Sequence, residues 1–478
     1  MLAQTFGAPF RESRRICVEV AMTRTTISRR TVLQGVASAA LARQVAHAQE
    51  ATPAAVPLAG TNLVILKAFH PIAAYDAWFD QIVQDWGAPN GVATQVDRVN
   101  ASDLPGRVGA ELESGSGHNL IEHVGPLPQF QESLTNLASL VAEASARFGD
   151  QAPFVRAATT NPVSGVVHGF GFGYSPAFGA YRQSLWGQVG QPGGPSTYTG
   201  LLNSGATLWQ ELGAMTGLGM APEPISQRVA EAVIWAHGGS VQDVHEAVTI
   251  NSPQTLAAVE YMKRIYDQCE TPEVFRWATD DAITLLGNGL LSYTPFSVSA
   301  YRSLGIQKVE AAPDVFLGAP LAGPAGADLA RSVPVAMQVA MIPAASAFTD
   351  TAAAFLLHLV ANAQPGMVAS SLVTFPAFAN AVPGFADNGG PLDTDPDVAG
   401  TAGKLGVLKS AATWSANPGW PGPTNPMMTE AYSSHLLSTM MAKAARGEMT
   451  PADAIAEAET TLNALAKPWR ERGIMGPG

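Results

Sequence analysis

Cysteine is nearly absent: Cys17 and Cys269 are the only two in 478 residues. A disulfide framework and a cysteine metal cluster are thereby excluded. Basic residues are scarce as well, with 27 Lys and Arg against 39 Asp and Glu for a formal charge of −12. So acidic a chain does not suit a phosphate backbone, which needs clustered cations. No run approaches the ~18 apolar residues of a membrane-spanning helix. Phosphate-loop and nucleophile-elbow motifs are missing. His245-Glu246 opens like a zinc-protease helix, but the second histidine would fall at Thr249. Gly169, Gly171 and Gly173 alternate with aromatics, where a dinucleotide fingerprint would need glycine at position 174, which is Tyr174; the stretch reads as a strand. His118 and His123 read as ordinary hydrogen-bonded histidines. No catalytic residue, metal or cofactor is expected.

What is present begins with an address. Ser28-Arg29-Arg30-Thr31-Val32-Leu33 puts paired arginines ahead of a short, weakly apolar run over residues 32–42. Arg43 follows, and Ala46-His47-Ala48 supplies small residues where a signal peptidase reads. Residues 1–48 are predicted to be a signal peptide of the twin-arginine type, with Met22 as a second candidate start and an ordinary secretory signal as the competing reading. No cysteine stands at the cleavage site, so no lipid anchor is expected and the protein should be periplasmic. Cleavage removes seven Arg and two Glu and takes the formal charge to −17, which favours a soluble monomer. The remaining ~430 residues exceed the ~250 to 300 at which single cores stop growing, so two lobes are expected.

Residues 49–56 read as a flexible leader. Residues 62–69 (NLVILKAF) form a continuous apolar run bounded by turn signals, as in a strand buried on both faces of a parallel sheet. Ala73, Ala77, Ile82 and Trp86 then recur at helical spacing, and the unit repeats as a strand over 92–96, a helix over 104–112 and a strand over 120–124. Such alternation means an α/β layer. Further on, helices are predicted over 198–212, 252–267, 349–362 and 430–445, with Ser252 as a cap and Pro253 at the first helical position. Aromatics recur at predicted loops: Phe69, Tyr75, Tyr174, Trp235, Trp277, Phe296, Tyr301, Trp414 and Trp420. Aromatic faces pack on the C–H face of a sugar ring while nearby polar groups bond its hydroxyls.

Several segments, taken in order, resemble the family 1 extracellular solute-binding proteins, the sugar-type receptors of bacterial ABC importers. They are residues 107–122 (RVGAELESGSGHNLIE), 181–198, Ala236-His-Gly-Gly-Ser240 followed by 248–253 (VTINSP), and 416–423 (ANPGWPGP) followed by Thr450-Pro-Ala-Asp-Ala454. The chain departs from the family at His118-Asn119, where Pro-Asp is common, and at Gly289-Leu-Leu-Ser-Tyr293. The resemblance implies an α/β, two-lobed periplasmic binding protein fold of type II-like topology, with hinge strands between the lobes. Lobe I would hold residues 57–172 and 295–338, and lobe II residues 173–294 and 339–478. Ligand contacts would come from Phe69 and His70, from Glu122 and His123, from Trp235, and from Trp277, Asp281, Phe296 and Ser297. Tyr174 joins them from the aromatic set, and Trp420 from a loop that could cover the cleft.

These candidates supply aromatics, Asp and His rather than an arginine cluster, so a neutral sugar or polyol is expected. Binding and hinge closure would deliver it to the importer's membrane subunits without chemistry. Two alternatives stand beside this. One is a secreted carbohydrate-active hydrolase, which needs two carboxylates ~5 to 9.5 Å apart. The other is the periplasmic partner of a signalling receptor.

Overall fold

The structure, a computed structural model, describes residues 58–278, 281–324, 333–394 and 403–478. The predicted signal peptide and leader lie outside the described residues. In chain order the strands are β1 (Asn62–Ala68), β2 (Ala93–Val99), β3 (Leu120–His123), β4 (Phe170–Ser175), β5 (Ala177–Arg182), β6 (Met215–Thr216), β7 (Leu291–Ser297), β8 (Val315–Gly318), β9 (Val333–Pro334), β10 (Ala336–Met341), β11 (Phe375–Pro376) and β12 (Ser415–Ala416). They make two separate sheets and a short two-stranded clasp.

The first sheet has the order β11-β4-β10-β3-β1-β2, with β1 parallel to both β2 and β3. Strand β1 is the predicted apolar run, and Leu63, Ile65 and Leu66 are fully buried in it. Helix Ala73–Asn90 follows it and buries Tyr75, Phe79, Ile82 and Trp86. Each such side chain contributes about 1.5–3 kcal/mol on leaving water. The alternating glycines of β4 have a packing reason. A Cβ on Gly171 would stand 2.2 Å from Val155 Cγ1, and one on Gly173 2.7 Å from Thr374 Cγ2. Glycine lets neighbouring elements close directly onto this strand.

The second sheet has the order β6-β7-β5-β8. Helix Pro253–Cys269 packs in this lobe as the sequence suggests: Ser252 Oγ accepts the Thr255 N–H at 3.2 Å, and Val259, Met262 and Ile265 are fully buried. The predicted helix over 430–445 is two helices, Pro426–Ser433 and Leu436–Ala445, broken at His435 with φ +54°. Helical spacing continues across the break, so periodicity does not reveal it.

The chain passes between the sheets at Ser175–Ala177 and again between β9 and β10. Strand β9 is clasped to β12 in parallel, with the Val335 N–H donating to Ala416 O at 3.1 Å. These pairings correct the expected lobe boundaries. Residues 295–324 belong to the second lobe, because β7 and β8 both pair with β5. Residues 339–380 belong to the first, because β10 lies between β3 and β4, β11 pairs with β4, and the Ala379 and Asn380 N–H groups donate to Asp150 O and Phe148 O. A short apolar strand carries no local mark of the sheet it joins; distant partners decide that.

Candidate functional site

Parallel strands bring their C-terminal ends to one edge, so the loops after β1 and β3 emerge together from the first sheet. Facing the loop after β3 from the second lobe are helix Pro224–Ala236 and helix Pro426–Ser433. Between these walls is a cavity of about 170 Å³. His123, Gln129 and Met337 line it from the first lobe, Val335 from the crossing segment, and Arg228 and Tyr432 from the second lobe.

Each helix is set by its own cap. Glu223 accepts the N–H groups of Ile225 and Ser226 at the start of the first, and Asn425 Oδ1 accepts the Met428 N–H at 3.0 Å at the start of the second. Glu231 ties them together: it accepts the Tyr432 hydroxyl and, at 2.9 Å, the Gly419 N–H. Burial outweighs these two hydrogen bonds and pushes its carboxyl up to about 7.

Of the expected contacts, His123 lines the cavity. Its Nδ1 lies 3.0 Å from Gly125 O and its Nε2 3.2 Å from Ala101 O. Burial holds the imidazole below its ordinary pKa despite those carbonyls. Trp235, near the end of helix Pro224–Ala236, meets Trp420 edge to face with centroids 5.7 Å apart, and the loop of Trp420 borders the cavity through Pro418. The Trp235 Nε1 is buried without a hydrogen-bond partner among the described residues.

Phe69 is exposed at the end of β1. His70 stacks on Tyr75 at 4.2 Å, with its Nε2 3.2 Å from Thr374 Oγ1, and burial depresses its pKa to about 4. The structure gives Glu122 and Tyr174 to the core of the first lobe. Glu122 lies 3.7 Å from the buried Lys67 ammonium. Tyr174 is 2 % exposed and packs edge-on against Phe154 and Phe375.

Trp277 and Asp281 lie elsewhere. They share an open groove of about 500 Å³ lined by second-lobe residues alone, and Asp281 Oδ2 is occupied by the Ala278 N–H at 2.7 Å. Ser297 bonds Ser299 at 2.7 Å, and the side chain of Phe296 lies outside the described ones.

Sequence reasoning missed Gln129, Arg228 and Tyr432. An arginine on a helix reads as a solvated face, and only the Glu223-Pro224 helix start places Arg228 one turn inside a second-lobe helix. Among the described residues no group of three His, Cys, Asp or Glu could hold a metal ion, and no carboxylate among them lines the inter-lobe cavity.

Residues 81–400 match the sequence profile of the bacterial extracellular solute-binding proteins. No curated protein matches the chain. Among solved structures, a putative oligosaccharide periplasmic-binding protein from Synechococcus sp. MITs9220 superposes with a TM-score of 0.70 at 15% identity, over 85% of this chain and 99% of that one. Maltose-bound MalE3 of T. maritima gives 0.67 at 15% identity, covering 85% and 100%. An ABC transporter solute-binding protein of Agrobacterium radiobacter K84 in complex with ribitol gives 0.66 at 16% identity, covering 86% and 100%. With two sheets joined by crossing segments, a cavity walled from both, and the family profile matched over most of its length, the chain belongs to the bacterial extracellular solute-binding proteins.

Proposed function

We propose that this protein is the extracytoplasmic receptor of an ABC importer, holding a sugar or polyol between its lobes and presenting the closed form to the membrane subunits. The observation that carries the reading is the cavity at the hinge, with polar groups from both lobes on its walls. A ligand bridging such walls stabilises the closed arrangement because it contacts both lobes only there. The ligand class is supported by the maltose and ribitol held by two of the structural neighbours. The protein acts as a monomer and by binding alone; the described lining offers no carboxylate pair of the kind a glycosidase uses.

The test is a thermal-shift screen of the mature protein against sugars, polyols, amino acids and short peptides. A ligand at ~100 times its dissociation constant adds roughly 2.7 kcal/mol to the folded state. A rise in Tm with a sugar, sugar acid or polyol, the sugar being recovered unchanged, is the expected result. A rise with peptides or amino acids alone would overturn the ligand class, and turnover of the sugar would favour the hydrolase.

Export by the twin-arginine route belongs to the same proposal. Its support is the Arg29-Arg30 pair ahead of a weakly apolar run. Replacing both arginines with lysine should leave uncleaved precursor in the cytoplasm; normal export of that variant would contradict the route and leave the receptor reading intact.

A further inference from the structure

We infer that the inter-lobe cavity recognises a carboxylate on its ligand, a sugar acid rather than a neutral sugar, and that Arg228 receives it. The inference rests on the sugar-receptor reading above and narrows it. Arg228 lies in the second turn of helix Pro224–Ala236 and lines the cavity. Its Nε is buried with no hydrogen-bond partner, and its guanidinium forms no ion pair among the described residues. The contrast with other partly buried arginines is plain. Arg182 pairs with Asp314 at 2.6 Å, Arg98 with Asp80 at 2.7 Å, and Arg302 donates to Ser371 O at 2.8 Å.

The carboxylates nearest Arg228 are already engaged. Glu223 caps the start of the helix, and Glu231 accepts from Tyr432 and Gly419 with its carboxyl pushed up to about 7. The described lining includes no Asp, Glu or Lys, so no acidic side chain on the cavity wall pairs with Arg228. Burial lowers the Arg228 pKa, and the opposing influence of Tyr432 and Glu223 is smaller. A buried charge without a partner costs stability, and such a cost is borne where a ligand completes the pair.

The charge count selects the anion. A phosphate monoester carries about −1.5 to −2 at pH 7 and calls for a second cation. A carboxylate carries one charge and matches the planar guanidinium in a bidentate pair. Gln129 on the first-lobe wall, and Thr429 and Ser433 on the second-lobe wall, suit the hydroxyls of the rest of the ligand, and Met337 and Met428 its C–H faces.

The test is titration calorimetry of the mature protein with matched pairs: galactose and galacturonate, glucose and glucuronate, and a disaccharide with its uronate-bearing counterpart. Wild type should bind at least one acid about tenfold or more tighter than its neutral partner. Arg228→Gln should reduce that preference to within about threefold. Neutral sugars bound as well as or better than every acid would overturn the proposal and leave the receptor reading standing. An equal loss for both members of a pair would do the same. Binding of no pair member would overturn the carboxylate assignment, and a polyol or another sugar that still raises the Tm would leave the receptor reading standing. A readout free of ligand is Arg228→Met, which relieves an unpaired buried charge and should raise the Tm of the empty protein; a fall would make Arg228 a structural residue and contradict the assignment.

Discussion

Lys67→Met lowers the stability of the first lobe by about 3–5 kcal/mol, the cost of removing one partner from a buried charge network. Lys67 is fully buried at the end of β1. Its ammonium donates to Asp76 Oδ1 at 2.8 Å and to Ala68 O at 3.0 Å, stands 3.7 Å from Glu122 Oε2 and lies 5.0 Å from the Phe79 ring centroid. Asp76 keeps Arg98 at 3.2 Å when Lys67 is lost, so Glu122 is the group left stranded. Burial already pushes the Glu122 carboxyl above its ordinary pKa, with Lys67 opposing. Glu122→Gln alone should therefore be mild, and Lys67→Met/Glu122→Gln should recover much of the loss. Chemical denaturation of the three variants measures this. Asp76 also accepts the His70 N–H at 3.0 Å, so the loop beside the expected site loosens with the network. A single Lys67→Met variant within about 1 kcal/mol of wild type would show that the network contributes little.

The second large effect is a loss of stability toward alkaline pH. Glu270 Oε1 accepts the Leu218 N–H at 2.8 Å, Oε2 is buried without a partner among the described residues, and burial pushes the carboxyl up to about 8. Its folded pKa lies above the unfolded value, so its stabilising contribution is fully present below pH 4.5 and is lost as pH rises through about 8. Glu231 adds a loss of the same sign up to about 7. His70 and His168, both depressed to about 4 by burial, act oppositely: their contribution is lost as pH falls from 6.5 toward 4. Stability should peak in the mildly acidic range and fall by about 4 kcal/mol between pH 6 and 9, since each tenfold difference in proton affinity between the folded and unfolded chain is worth roughly 1.4 kcal/mol. Glu270→Gln should remove more than half of that fall. An unchanged slope in the variant would mean that Glu270 is ionised in the folded protein.

Where the determinants are local, the sequence could be read directly. The apolar run of β1 and the Ser252-Pro253 helix start each lie within one short window. The lobe boundaries were not legible because they depend on pairings such as Ala177 with Ser297 and Met341 with Ile121, far apart in the chain. The site was legible in part. The resemblance points to His123 on the cavity wall and to Trp420 on the loop beside it, whereas Trp277 and Asp281 fall in a groove on one lobe. Glu122 looks like a hydroxyl acceptor at a strand end, but Lys67 on the adjacent strand claims it. Arg228 was invisible because an arginine on an amphipathic helix is ordinary until its surroundings offer it no partner.

The central claim, that ligand sits between the lobes, is tested most directly by hydrogen–deuterium exchange of the mature protein with and without the sugar or sugar acid giving the largest thermal shift. The account predicts joint protection of residues 123–129 in the first lobe and of 224–233 and 426–433 in the second. Protection confined to residues 271–290, around the Trp277 groove, would contradict it.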